Sequence, residues 1–158
     1  MLTHGLVAGV IGYAVVVVFY ATWNVAQGRS PFFTAALLGG AAFYGLEEPG
    51  AVVVWAGPVL AFNGLHLVVF LGIGMIAAWL ATVSEHGANV WYVGLSLLTY
   101  GLIHVLGMVL WVAEPLRGEL PTWSALLATV LALGAMALYL LKVHPRLQQE
   151  LREYDEDA

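Results

Sequence analysis

The 158-residue chain has no cysteine, which excludes disulfides, thiolate metal sites and iron–sulfur clusters and leaves no redox compartment to infer. Charge is almost as scarce. Asp, Glu, Lys and Arg make up 9% of the residues, against about a quarter in an ordinary soluble domain. Residues 49–84, 86–113 and 120–141 contain none of the four, and none precedes Arg29. No basic patch exists to neutralise phosphates, so nucleic acid is not an expected partner. The start, Met1-Leu2-Thr3-His4, carries no Lys or Arg ahead of its apolar run; a cleaved leader usually has a basic start, so this run is expected to remain as a helix. The catalytic signatures H-E-x-x-H, G-x-S-x-G and the P-loop are absent, and a non-enzymatic role is favoured.

What the chain has is apolar length. It is 61% hydrophobic, and a bilayer crossing needs about 20 mostly apolar residues, because roughly 30 Å of hydrocarbon is spanned at 1.5 Å per residue. The charge-free runs predict an all-α, integral membrane four-helix bundle in one domain, residues 1–145, with crossings at about 3–26, 58–83, 89–112 and 122–142. Residues 146–158 form an acidic tail, with Glu150, Glu153, Asp155, Glu156 and Asp157 against Arg152 in its last turns. Tryptophans mark the ends of the runs: Trp23, Trp55, Trp111 and Trp123 toward one face, Trp79 and Trp91 toward the other. Indoles favour headgroup depth, so this is the pattern of two aromatic belts.

Residues 30–56 do not fit a crossing. Ser30-Pro31 reads as an N-cap followed by proline at the first helical position. The helix predicted from there to Tyr44 is too short to span, and Gly45 to Gly50 stop it. It is expected to lie in the interface or dip into the protein between spans 1 and 2, with Glu47 and Glu48 near the headgroups, since carboxylates at depth are costly. Four crossings put both termini on the side of Lys142, Arg146 and Arg152, against Arg29 and Arg117 on the other. That imbalance favours cytoplasmic termini. Gly5-x-x-x-Gly9, Ala8-x-x-x-Gly12 and Gly74-x-x-x-Ala78 are spacings that let helix backbones approach closely.

The polar residues inside the runs are the candidate site. His66 lies thirteen residues before Trp79, and His104 thirteen after Trp91. Both tryptophans flank the same short loop, so regular helices place both imidazoles ~20 Å from that interface, in one layer. Asn63 shares a face with His66, and Tyr100 and Ser96 with His104. On the first run, Tyr13, Tyr20, Asn24 and Gln27 follow one face; the fourth offers only Thr129. Spans 1 to 3 are therefore expected to enclose a polar pocket, with the fourth chiefly packing.

Such groups often only hydrogen-bond one another, at about 0.6 kcal/mol per bond. Functional alternatives follow from the chemistry. His66 and His104 could ligate haem b or a metal, with Arg29 and Arg117 pairing to haem propionates. The pocket around His66, His104, Asn63, Tyr100, Tyr20 and Asn24 could instead hold a lipid, a quinone or another small molecule, or form part of a channel or carrier. The absence of Asp and Glu from every span argues against a coupled cation transporter and a carboxylate di-iron site. His4, His86 and His144 are expected to be solvated.

The stretch Gly28-Arg29-Ser30-Pro31-Phe32-Phe33-Thr34-Ala35-Ala36-Leu37-Leu38-Gly39 resembles a motif of small bacterial four-span membrane proteins of no assigned function. His66-x-x-x-Phe70 and His144-Pro145 resemble the same group, which more often carries an acidic or aromatic residue near the position of His104. The resemblance implies a bacterial inner-membrane protein and supplies no activity. The small extramembrane parts favour an accessory or scaffold subunit, whose partners are the lipid bilayer and either other membrane subunits or copies of itself.

Overall fold

The computed structural model describes residues 2–84, 96, 99–101, 103, 107, 118–145 and 149. These residues form helices and connecting turns: α1 (Leu2–Ala26), α2 (Phe33–Phe43), a 3-10 turn (Pro49–Ala51), α3 (Ala56–Ser84) and α4 (Thr122–Val143). Helices α1, α3 and α4 coincide with the expected first, second and fourth crossings, and each is long and apolar enough to span a membrane. Residues 96, 99–101, 103 and 107 are helical; the rest of the expected third span, 89–112, lies outside the described residues.

Burial separates this fold from a soluble bundle. Only 22%, 33% and 28% of the most apolar stretches of α1, α3 and α4 are buried within the protein. Their outer faces expose Val18, Leu60, Val68, Val130 and Leu138. Apolar surface on this scale is stable only against lipid. The chain is a membrane protein.

Helix α1 is the hub. It runs antiparallel to α3, with Gly5 against Gly74 and Met75 and Gly9 against Phe70 and Leu71. It also runs antiparallel to α4, with Trp23 on Trp123, Gly12 on Met136 and His4 on Tyr139. Helices α3 and α4 are therefore parallel and touch each other little. The end of α3 and the start of α4 fall at opposite ends of α1.

The α1–α3 contact is made by backbone. A Cβ on Gly9 would lie 2.5 Å from the Phe70 carbonyl oxygen, and one on Gly5 2.8 Å from Met75 Cα. A Cβ on Gly74 would strike the Gly5 oxygen and the Gly9 nitrogen. Close approach of this kind drives association where there is no water to exclude.

The turn after α1 is a Schellman motif. Gly28 takes φ +71°, Arg29 N–H donates to the Asn24 carbonyl at 2.9 Å, and Gly28 N–H donates to Val25 at 2.9 Å. Helix α2 begins two residues later than Ser30-Pro31 predicts. Ser30 instead caps a turn: its carbonyl accepts from Phe33 N–H at 2.9 Å and its hydroxyl oxygen from Phe32 N–H at 3.3 Å. The Pro31 carbonyl is held by Asn24, so Pro31 serves the turn rather than the helix. At 11 residues and ~1.5 Å per residue, α2 is too short to cross. One of its faces packs on the rest of the protein. Gly39 meets the backbone of Pro58, and Leu37 and Leu38 share a core with Tyr20, Leu120 and Ala128. Glu47 and Glu48 beyond it are exposed.

Candidate functional site

The polar residues of the spans fall into separate contacts. In the first, between α1 and α3, Tyr13 donates to Asn63 Oδ1 at 2.9 Å, and Asn63 Nδ2 donates back to the Val59 carbonyl at 2.8 Å. One turn along α3 from Asn63, His66 is buried and enclosed by aromatic rings. Phe62 stacks on it at 5.1 Å, Phe70 meets it edge-on at 5.0 Å, and Tyr13 lies 6.4 Å away. The spacing of Phe62, His66 and Phe70 at i, i+4 and i+8 puts all three on one helix face.

The second contact is a clasp between α1 and α2. Asn24 is 2% exposed. Its Oδ1 accepts from the Thr34 hydroxyl at 3.0 Å, and its Nδ2 donates to the Pro31 carbonyl at 3.2 Å. This gives a physical reason for the run Gly28 to Thr34. Gly28 turns the chain, and Pro31 and Thr34 supply the acceptor and donor that satisfy a buried amide. The sequence does not mark Thr34 as a site residue; its place ten residues after Asn24, across a glycine turn, is the available signal.

Tyr20 is 8% exposed and packs on α4, its hydroxyl beside the side chain of Ser124 without completing a well-formed bond. Ser124 donates to the Pro121 carbonyl at 2.7 Å, a bond back onto the residue before α4. At the bundle end, Arg29 Nη1 and Glu119 Oε2 pair at 2.6 Å, and the guanidinium lies 4.6 Å over the Phe33 ring. Arg29 is thus engaged by a carboxylate and an aromatic face. Gln27 is exposed, and Tyr100 is helical and half-buried. His104 and Arg117 lie outside the described residues, as do Trp91 and Trp111.

Two expectations about histidine do not hold. His4 is half-buried and His144 is 7% exposed, so neither is a solvated terminal residue. The helix ends that carry them pack together, because α1 and α4 are antiparallel. Among the described residues no group of three or more His, Asp or Glu is placed to hold a metal ion.

An open groove of about 560 Å³ runs between α1 and α4, lined chiefly by Ala14, Val15, Val18, Phe19, Trp23 and Leu131. It takes in none of the polar contacts just described. The polar side chains tie helices together, and the groove is a feature of the apolar outer surface. Compared with known proteins, the chain matches no family model, no curated protein and no solved structure.

Proposed function

We propose that this is a four-crossing protein of the bacterial inner membrane that acts without catalysis, as an accessory or scaffold subunit of a larger membrane assembly. One observation carries the reading. Polar pairs within the described residues, Tyr13–Asn63 and Asn24–Thr34, bind their own chain, while wide apolar faces remain on the outside. A protein so arranged has interactions to offer laterally, within the bilayer.

The fourth crossing is supported by the parallel run of α3 and α4, because the chain between them has to return along the bundle. Gly101, helical and buried, lies against Thr129 and Leu133 halfway along α4. Cytoplasmic termini are supported by Lys142, Arg146 and Arg152 against Arg29 and Arg117. A b-type haem on His66 and His104 has less support, since Arg29 is held by Glu119 and His66 is packed by Phe62 and Phe70. A channel or carrier has less still, because the polar contacts are separate and the α1–α3 seam is closed by backbone.

The test is purification in mild detergent followed by native mass spectrometry and a visible spectrum. The expected result is a mass above one chain at a fixed ratio, from other subunits or further copies, with no Soret band. A lone chain with a Soret band that His66→Ala abolishes would replace this reading with haem binding. Solute flux through proteoliposomes of the lone chain would replace it with transport.

A further inference from the structure

The seam between α1 and α4 has an apolar side and a charged end. An open groove of about 560 Å³ follows α1 from Ala14 to Ala26, with Val18 and Trp23 lining it and Leu131 contributed by α4. At ~1.5 Å per residue that stretch of helix is ~18 Å long, close to the ~15 Å depth of one leaflet's hydrocarbon. At the same end as Ala26, Trp23 meets Trp123 edge-on at 5.0 Å, and indoles favour headgroup depth. Beyond them stands an ion pair between the same two helices. Arg29 follows the end of α1 by three residues, and Glu119 precedes the start of α4 by three. Arg29 Nη1 and Glu119 Oε2 lie 2.6 Å apart, with the side chains 34% and 31% exposed. We propose that the groove holds one acyl chain of a phospholipid whose phosphoethanolamine headgroup seats on Arg29 and Glu119.

Each part of that lipid has its counterpart. The groove is apolar apart from Thr22, so a charged occupant would lose its hydration there without a partner. Spread over ~18 Å, its volume gives a cross-section of roughly 30 Å², a width for one hydrocarbon chain rather than for a helix ~10 Å across. It opens on the outer face of the bundle, where Val18 and Leu131 are 63% and 46% exposed. At the charged end, arginine pairs with phosphate through several N–H donors at once. The guanidinium carbon of Arg29 lies 4.6 Å from the Phe33 ring centroid, a contact that holds its plane. The Glu119 carboxylate accepts from the ammonium. The ammonium of ethanolamine carries three N–H donors, as that of lysine does, whereas the quaternary nitrogen of choline has none. A phosphoglycerol headgroup meets attraction from Arg29 and repulsion from Glu119. A pair that is neutral as a whole therefore favours the zwitterion that carries N–H groups.

The experiment uses the full chain, washed free of native lipid in detergent and titrated with dioleoyl phosphatidylethanolamine, phosphatidylcholine or phosphatidylglycerol. Native mass spectrometry counts the lipids retained per chain. The expected result is one phosphatidylethanolamine per chain, bound at least tenfold more tightly than either of the others. Glu119→Gln should remove the preference over phosphatidylcholine and strengthen phosphatidylglycerol binding, because Arg29 is then unopposed. Ala14→Phe and Thr22→Phe, at exposed positions of α1, should each fill the groove and weaken phosphatidylethanolamine binding at least tenfold. Water-soluble glycerophosphoethanolamine, which has the headgroup and no acyl chain, should not compete. Equal binding of the three lipids by the wild type would mean a non-selective lipid shell and overturn the proposal. So would an unchanged preference in Glu119→Gln, or a lipid-free dimer that Ala14→Phe dissociates, which would assign the groove to a second copy.

Discussion

Against α3, helix α1 presents Gly5 and Gly9; against α4 it presents Tyr20, Trp23 and His4. The first seam is backbone on backbone and works because side chains are missing. The second is built from side chains: Trp23 edge-on to Trp123 at 5.0 Å, Met136 filling the space left by Gly12, and small alanines on α4 at 125, 128 and 132. A single bilayer helix thus uses two ways of holding a neighbour. In water both would be assisted by excluding solvent, but between helices in lipid only packing and hydrogen bonds remain. A backbone seam tolerates no added atom, whereas a side-chain seam can repack around one.

The comparison breaks most readily at Gly9. Gly9→Ala puts a methyl group into the Phe70 carbonyl, and overpacking against backbone is expected to cost about 3 kcal/mol. Thermal unfolding in detergent should show a large fall in Tm. Gly64→Ala, on the partner helix α3 but with nothing within 4 Å of the added carbon, should leave Tm unchanged or slightly raised. Equal effects of the two would show that backbone contact at Gly9 is not what holds the α1–α3 seam.

The Asn24 clasp comes next. Asn24→Ala leaves the Thr34 hydroxyl and the Pro31 carbonyl without their partner, and is expected to cost about 2 kcal/mol. Faster proteolysis between residues 27 and 32 in the variant is the check; an unchanged cleavage rate would show that the turn holds without Asn24. Tyr13→Phe removes one bond to Asn63 and should cost about 0.6 kcal/mol, the average for such bonds in membranes. The smallest effect belongs to Arg29 and Glu119, both about one-third exposed. Arg29→Gln should lower stability by a few tenths of a kcal/mol, and by less in high salt. A salt-independent loss would mean that its contact with Phe33 matters more than its charge.

The helices were legible because charge is costly in lipid. The crossings expected at 3–26, 58–83 and 122–142 lie within two residues of α1, α3 and α4 at each end, although the charge-free run around the second begins earlier, at 49; the glycine spacings of α1 and α3 marked the faces that pack. The start of α2 was not legible, since Ser30-Pro31 has the same local pattern whether proline begins a helix or a turn. Only the bond from Asn24 to the Pro31 carbonyl decides it. Contacts between residues far apart in sequence were harder still. The inward faces of α1 and α3 were legible, with Tyr13 on one and Asn63 and His66 on the other, but their pairing needed the register of the two helices. The Tyr20–Ser124 neighbourhood and the pair Arg29–Glu119 needed the rotation of α4 about its axis, which periodicity does not supply when the helix is apolar on every side. The same gap hid His4 and His144. Counting crossings puts them at one end, but only the packing of α1 on α4 brings their rings together.

The central claim is the arrangement of crossings around α1, and labelling of single cysteines tests it most directly because the chain has none of its own. Thr3, Gln27, Glu47, Gly118 and Gln149 are all exposed and can each be replaced by cysteine, one per variant, in sealed inverted and right-side-out vesicles. A membrane-impermeant maleimide should label positions 27, 47 and 118 from one side only, and positions 3 and 149 from the other. Labelling of 118 and 149 from the same side would contradict the crossing by α4. Labelling of 27 and 47 from opposite sides would make α2 a crossing and overturn the account.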